Sequence, residues 1–183
     1  MDNGASSYHR FLQGDKNALE ELVREYSDAI VRYAYFYVRN SRTAEDIMED
    51  TFAALIIKRK KFKQDAPFLS YLYKIARNKC MDFLRSKRAR EVPISDLQNV
   101  LKCENAETAA MNRIRDLEIF ACMQKLPEQY FDVLYLTYFQ GFSADEIKNS
   151  TGKSKKQIYN LLARAKSSLK DILIMEGLSY EDL

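Results

Sequence analysis

The sequence predicts an all-α fold, in which two small helical domains are joined by a flexible linker and the second domain contains a helix-turn-helix. Apolar residues recur at steps of three and four through two long stretches, as they do on the buried side of a helix. A polar stretch with weak periodicity, 91–110, separates them. With 183 residues, 46% of them hydrophobic, the chain is long enough for two small cores. The predicted domains are therefore 1–90 and 111–183, on either side of this linker.

The first domain is predicted to be a bundle of three helices plus a short N-terminal one. The longest apolar stripe covers 19–38 and stops at the polar sequence 40–43. The next helix is predicted to have Ser41 or Thr43 as its N-cap, because a hydroxyl oxygen at that position accepts a backbone N–H. Pro67 closes a loop before the third helix. The second and third stripes are Ile47, Met48, Thr51, Phe52, Leu55 and Ile56, and then Phe68, Leu72, Ile75, Ala76 and Phe83.

The second domain is predicted to contain the helix-turn-helix near its C-terminal end. Its first helix stops before Pro127, and the next one stops at Gly141. Ser143, with a glutamate three residues later, predicts a capping box at the start of a short helix. Gly152 then makes the turn, and Ser154 caps a longer basic helix. A short helix, a glycine turn and a longer basic helix are typical of this motif.

Positive charge is concentrated in two blocks, although the formal net charge is only +3. The segment 58–90 carries twelve lysine and arginine residues against Asp65 and Asp82. Every charged residue in 148–170 is basic, whereas the segments before and between the two blocks are net acidic. This segregation predicts two contacts with a polyanion and leaves other surfaces for different partners.

The sequence argues against a membrane protein, a metal site and an enzyme. The longest apolar run, 52–57, is too short to span a bilayer, and the first residues lack the basic and apolar segments of a signal peptide. His9 is the single histidine, and the three cysteines (Cys80, Cys103 and Cys122) are widely spaced and form no CxxC. No nucleophile motif or glycine-rich phosphate loop occurs. We therefore expect a cytoplasmic protein without membrane insertion, cofactors, bound metal or catalytic residues.

The last basic helix is predicted to read double-stranded DNA. Opposite its apolar side lie lysines suited to phosphates, an asparagine suited to a base edge and a small alanine that permits close approach. The alternative is a basic surface that is merely solvated, but the helix-turn-helix pattern and the unbroken positive charge favour DNA. The predicted contacts are Ser154, Lys155, Lys156, Tyr159, Asn160, Ala163, Arg164 and Lys166.

The first basic block has a composition typical of single-strand binding. Aromatic residues are interleaved with lysine and arginine, so that cations can track phosphates while rings stack on unpaired bases. The alternative is that aromatics at helical spacing belong to the core, as we expect for Phe68. Tyr71, by contrast, lies away from the apolar stripe, on the side of Lys74 and Asn78. The predicted contacts are Phe62, Lys63, Tyr71, Tyr73, Lys74, Arg77, Asn78 and Arg85.

Four motifs, in order and over nearly the whole chain, resemble the extracytoplasmic-function family of sigma factors of bacterial RNA polymerase. They are FLQGD with ALEELV (11–23), AEDI with TF (44–52), YLYKIARN (71–78), and LPE with GFSADEI (126–147). The resemblance implies a subunit that directs the polymerase core to promoters and assists strand opening. It also implies three partners, namely the RNA polymerase core enzyme, promoter DNA and an anti-sigma factor.

The resemblance further implies roles for matching positions. Phe62, Tyr73 and Asn78 match the pocket for a base that is flipped out of the melted minus-ten element, and the last basic helix matches the minus-thirty-five reader. Two groups match polymerase-binding positions. Glu45, Asp46, Glu49 and Asp50 match the docking site for a basic helix of the clamp, and Phe131, Leu134, Tyr135 and Tyr138 match the segment that receives the flap tip.

The chain departs from the family pattern at several positions. Family members usually have glutamine at the position of Glu49. The helix-turn-helix has Lys148, Ser150, Thr151 and Lys153 where small or apolar residues are usual, and Tyr159 and Leu161 where residues are often basic. Two other functions therefore stay open. One is a freestanding helix-turn-helix regulator, which leaves the first domain unexplained, and the other is a sigma-like antagonist that occupies polymerase without reading DNA.

Overall fold

The computed structural model describes residues 4–58, 68–86 and 118–178, and all regular structure in these ranges is helical. The chain separates into two compact units, and the described residues of the first form four helices. The all-α, two-domain prediction is confirmed. The linker 91–110 and its two boundaries lie outside the described residues and stay predictions. The helices of the first unit are α1 (Ala5–Leu12), α2 (Lys16–Val38), α3 (Ser41–Lys58) and α4 (Phe68–Arg85).

The first unit is built around α2, which packs against the other three helices. The centres of the predicted stripes are fully buried, including Leu22, Ile30, Leu55 and Leu72. Burial of each such side chain stabilises the fold by about 1.5–3 kcal/mol. The described part of the chain has no helix that is long and apolar enough to span a membrane.

The N-cap of α3 is Asn40, and the prediction of Ser41 or Thr43 is wrong. The Oδ1 atom of Asn40 accepts hydrogen bonds from the backbone N of Thr43 at 2.9 Å and from its hydroxyl at 3.1 Å. Ser41 is already the first helical residue. Asparagine caps a helix as well as serine does. Asn40 lies directly before the first helical residue, from where its side chain accepts the backbone N–H of the third helical residue.

A cluster of aromatic rings joins α1 to α2 and α4. The ring of Tyr8 lies 4.8 Å from that of Phe68, and the ring of Tyr26 lies 6.2 Å from the same phenylalanine. Gly4, at the start of α1, has φ +78°, and a Cβ there would lie 2.8 Å from Tyr26 and 2.9 Å from Phe68. Burial raises the pKa of the Tyr8 phenol to about 12, with a smaller contribution from Tyr71. The short N-terminal helix is therefore an integral part of the core.

The raised pKa of Tyr8 predicts a loss of stability at alkaline pH. The ordinary pKa is 10.0 and the folded-state pKa is about 12, so above pH 10 the unfolded chain releases a proton that the folded chain keeps. The stabilising contribution is therefore complete below pH 10 and declines as the pH rises towards 12. Urea unfolding at about pH 9 and about pH 11 should show this decline. An equally steep decline in Tyr8→Phe would contradict the assignment.

In the second unit, the described residues begin with the helical segment 118–123, and their last helix is a long one. Between them, α5 (Glu128–Leu134) is followed by a π-helical turn, Tyr135–Phe139, where one continuous helix was predicted. The backbone N of Gln140 donates to the carbonyl of Tyr135 at 3.3 Å, and Gly141 then takes φ +66°. The last two helices are α6 (Ala144–Thr151) and α7 (Lys155–Met175).

Both predicted caps of the helix-turn-helix are confirmed. Ser143 and Glu146 form a capping box at the start of α6, with the backbone N of Ser143 donating to the glutamate at 2.7 Å. Ser154 and Gln157 form the same arrangement at α7, where the backbone N of Ser154 donates to the glutamine at 2.8 Å. Gly152 ends α6 with φ +75°, a conformation that glycine adopts without strain.

Candidate nucleic-acid and polymerase interfaces

The predicted DNA-reading side of α7 is exposed. Ile158, Ala165 and Leu169 are buried, which fixes the rotation of the helix about its axis. On the opposite side Tyr159 is 61% exposed. Asparagine and alanine side chains there are accessible for base edges and for close approach. The exposed members of the predicted set are Ser154, Lys155, Lys156, Tyr159, Asn160, Ala163, Arg164 and Lys166.

Two of the predicted DNA-contacting lysines have partners within the second unit. Lys155 Nζ lies 2.8 Å from a carboxylate oxygen of Asp145, and this hydrogen bond, with the charge of Asp145, raises the pKa of the lysine. Lys166 Nζ lies 5.3 Å from the centre of the Tyr138 ring, within the range of a cation–π interaction. Neither contact has a signal in the sequence, because each joins residues of different helices.

The polar residues that depart from the family pattern are accommodated without placing a lysine in the core. Lys148 is exposed, whereas Ser150 is buried. Thr151 and Lys153 are half-buried at the turn. The buried position is thus taken by a small side chain, and both cations keep access to solvent. These departures are compatible with a well-formed helix-turn-helix.

A polar cleft of about 250 Å³ opens between α5 and α7. Part of its lining was predicted, since Asn160 and Arg164 belong to the DNA-reading set. Gln129 and Lys153 were not predicted as contacts, because they come from the first turn of α5 and from the turn before α7. The lining residues are Gln129, Lys153, Gln157, Asn160, Leu161 and Arg164.

The surface of α4 presents most of the residues that were predicted to contact single-stranded DNA. Lys74, Asn78 and Arg85 are exposed, whereas Tyr71 and Arg77 are half-buried. Burial raises the pKa of the Tyr71 phenol, whose ring lies 6.4 Å from that of Tyr8. Phe62 and Lys63 lie outside the described residues.

Tyr73 does not present a stacking surface, and this part of the prediction is corrected. Its side chain is 0% exposed, and its ring meets that of Tyr33 edge to face at 5.1 Å and 87°. Tyr73 directly follows Leu72 of the apolar stripe, and both side chains are fully buried. The buried side of α4 is therefore wider than the stripe indicated, and it includes the contact of Tyr73 with Tyr33 of α2. Edge-to-face pairs of this kind contribute about 0.5–1.5 kcal/mol beyond the buried area.

The acidic residues of α3 that match the clamp-docking positions lie together on its solvent-facing side. Glu45, Asp46, Glu49 and Asp50 are all exposed. Lys79 of α4 contacts Asp50, with its Nζ atom 2.9 Å from the carboxylate. The two aspartates border an open groove between α3 and α4. Asp50 is the member of this group that pairs with a lysine of α4 among the described residues, so the surface keeps a net negative charge.

The predicted flap-binding surface is mostly core, and the structure corrects it. Phe131, Leu134 and Tyr135 are at most 2% exposed, whereas Tyr138 is 46% exposed. The π-helical turn also brings out Phe139, which is 40% exposed and stacks on Tyr135 at 5.3 Å. No pattern in the sequence indicates this turn, so Phe139 was not predicted. A small apolar pocket is lined by Ile119, Met123, Leu134, Tyr138, Phe139, Lys166 and Leu169.

Two sequence families match the two halves of the chain. Sigma-70 region 2 matches residues 22–90, and Sigma-70, region 4 matches residues 116–169. Among relatives, the ECF RNA polymerase sigma factor BldN of Streptomyces coelicolor is 29% identical over 163 residues, which are 87% of this chain and 62% of BldN. RNA polymerase sigma factor SigZ of Bacillus subtilis is 26% identical over 156 residues, 85% of this chain and 86% of SigZ.

Solved structures show a similar fold over most of the chain. CnrH, solved in complex with the cytosolic domain of CnrY, superposes with a TM-score of 0.68 at 22% identity, covering 96% of this chain and 99% of CnrH. RpoE from Bartonella quintana, solved in complex with the anti-sigma factor NepR, superposes with a TM-score of 0.66 at 20% identity. The match covers 84% of this chain and 95% of RpoE. Regions 2 and 4 thus occur in one chain, in order, on the two helical units described above. The chain belongs to the sigma-70 family, as an RNA polymerase sigma factor of the extracytoplasmic-function type.

Proposed function

We propose that the chain brings RNA polymerase core to specific promoters by reading the minus-thirty-five element with α7 and holding the melted minus-ten strand with α4. In this proposal it is a non-enzymatic subunit without cofactors, and it acts in the cytoplasm where the polymerase acts. The exposed acidic side of α3 contacts the polymerase clamp, and the apolar pocket beside Tyr138 and Phe139 receives the flap tip.

The observation that carries this proposal is the separation of surfaces by charge. In the first unit the carboxylates of α3 are exposed, while α4 exposes Lys74, Asn78 and Arg85. In the second unit the exposed side of α7 carries Lys156 and Arg164. Basic helices suit a nucleic acid, and an acidic helix suits a basic protein surface. A freestanding regulator leaves the first unit without a function.

Two measurements with purified core polymerase distinguish this proposal from its alternatives. Co-purification with core, followed by run-off transcription on a genomic fragment library, should yield defined transcripts only when the chain is present. A chain that binds DNA but not core is a freestanding regulator. A chain that binds core but yields no transcript is a sigma-like antagonist.

We also propose that an anti-sigma factor regulates this chain. The structures similar to it include RpoE in complex with the anti-sigma factor NepR. Such a protein is expected to cover surfaces that contact polymerase, so it should compete with core for the chain. The check is a competition pull-down in which a candidate partner, co-purified from the native cell, displaces the chain from core. Simultaneous binding of both would contradict sequestration.

A further inference from the structure

We propose that Tyr8 of α1 is a positioning residue for promoter opening, which holds the ring of Tyr71 at the surface of α4 for stacking on a base of the melted strand. This inference rests on the proposed function. It adds to it a role for a helix that lies before the residues matched by Sigma-70 region 2, which begin at residue 22. In this role α1 contributes to opening without contacting DNA itself.

The two tyrosines meet where α1 packs on α4. Their ring centres lie 6.4 Å apart, with the ring planes inclined at 49°, which is within the range of interacting aromatic pairs. Tyr8 is 1% exposed, whereas Tyr71 is half-buried. The charge of a Tyr71 phenolate contributes to the raised pKa of Tyr8, so the two phenol groups lie near each other. Tyr8 therefore forms part of the surface on which the Tyr71 ring rests.

Tyr71 lies on the side of α4 that is predicted to hold the melted strand. Tyr71, Lys74 and Asn78 are three and four residues apart, so they share one side of the helix. Lys74 and Asn78 are exposed. A ring beside a cation can stack on a base while the cation contacts the phosphate backbone. A ring that is already fixed in orientation binds more tightly, because binding does not have to immobilise it.

Contacts with α2 and α4 anchor α1 firmly enough to give this support. The Tyr8 ring lies 4.8 Å from that of Phe68, which is fully buried at the start of α4. Ser7 donates a hydrogen bond to the Glu21 carboxylate of α2 at 3.0 Å, and Arg10 forms an ion pair with the same carboxylate. Because α1 is held on two sides, the Tyr8 ring has a fixed place beside Tyr71.

Tyr8→Leu tests the inference, with Tyr33→Leu as the matched control. Both variants remove a buried ring that packs against a tyrosine of α4, but the partner of Tyr33 is Tyr73, which is fully buried. In reconstituted holoenzyme, at a temperature where each variant is folded, Tyr8→Leu should form about two- to tenfold fewer open complexes. This factor corresponds to leaving one side chain of an interface mobile. Tyr33→Leu should lose stability in urea as well, but it should open promoters like the wild type.

Permanganate reactivity of the downstream thymines measures opening, and the upstream footprint, which should be retained, measures closed-complex binding. Tyr8→Phe keeps the ring and should restore opening to the wild-type level. If the leucine variants do not fold, Tyr8→Met and Tyr33→Met, which fill more of the buried space, form the same comparison.

A double substitution separates positioning from stability. Tyr71→Ala removes the ring that is positioned and should lower open-complex formation by about tenfold. Adding Tyr8→Leu to Tyr71→Ala should reduce opening no further, because the effect of Tyr8 passes through Tyr71. The same addition should still lower the free energy of unfolding, because the ring of Tyr8 also packs on Phe68.

The outcomes distinguish this inference from the proposed function. Equal losses of opening in Tyr8→Leu and Tyr33→Leu, or independent effects of Tyr8→Leu and Tyr71→Ala, would overturn the positioning role. Normal opening in Tyr71→Ala with a defect in Asn78→Ala would also overturn it, while leaving α4 as the melting helix. Failure of the wild-type chain to give any promoter-dependent transcript would overturn the proposed function itself.

Discussion

Replacing Asp46 by arginine is expected to abolish binding of the chain to RNA polymerase core while leaving the first unit folded. Asp46 is exposed on α3, at the edge of the groove between α3 and α4. Reversal of a charge that pairs across an interface costs about 2–5 kcal/mol, which corresponds to a loss of at least about thirtyfold in affinity. The measurement is a fluorescence-anisotropy titration of labelled chain with purified core.

The control for this prediction is Asp28→Arg, which makes the same charge change at an exposed position of α2. It should leave the affinity for core unchanged and match Asp46→Arg in thermal stability. Asp50 is less suitable for the test, because its contact with Lys79 at 2.9 Å would be lost as well. Retention of full core affinity by Asp46→Arg would remove α3 from the polymerase interface.

Local signals in the sequence were sufficient for the helix-turn-helix. The capping box at Ser143, the N-cap at Ser154 and the glycine turn at Gly152 are each specified within four residues, and all three occur in the structure. The apolar stripe of α7 likewise predicted its exposed side. Such features depend on interactions between residues that are close in the sequence, so they can be predicted without knowing the fold.

Features that depend on packing between helices were predicted less well. The stripe of α4 identified its apolar side, but it did not show that Tyr73, at the edge of that side, is buried against α2. The π-helical turn shifts the residues after Leu134 and exposes Phe139, and no periodicity in the sequence signals the shift. The cleft between α5 and α7 is lined by residues from three separate segments, so it can be identified only in the folded structure.

The burial of Tyr73 changes what its substitution should do. Tyr73→Ala is expected to lower the free energy of unfolding by about 3–5 kcal/mol, the range for truncating a large buried aromatic side chain. Chemical denaturation of the whole chain should show this loss. Asn17→Ala, an exposed position of α2, should stay close to the wild type. A fully stable Tyr73→Ala variant would mean that the tyrosine is not packed in the core.

Asn78 is the better test of promoter opening, because its side chain is exposed and its removal should not disturb the fold. Family resemblance places it where a flipped base is held by its Watson–Crick edge. Loss of such a contact costs about 1–3 kcal/mol, so Asn78→Ala should weaken open-complex formation by about tenfold, with Asn17→Ala unaffected.

The two steps of initiation provide the measurement for Asn78→Ala. Permanganate-reactive thymines should be lost from the downstream element, while the upstream footprint is retained, because the proposed function assigns closed-complex binding to α7 and not to α4. A premelted template should restore initiation if the asparagine acts in strand separation, and restore it less if the asparagine recognises the base once the strand is open. Unchanged thymine reactivity in Asn78→Ala would show that this side chain of α4 takes no part in melting, and would favour a chain that reads DNA through α7 alone.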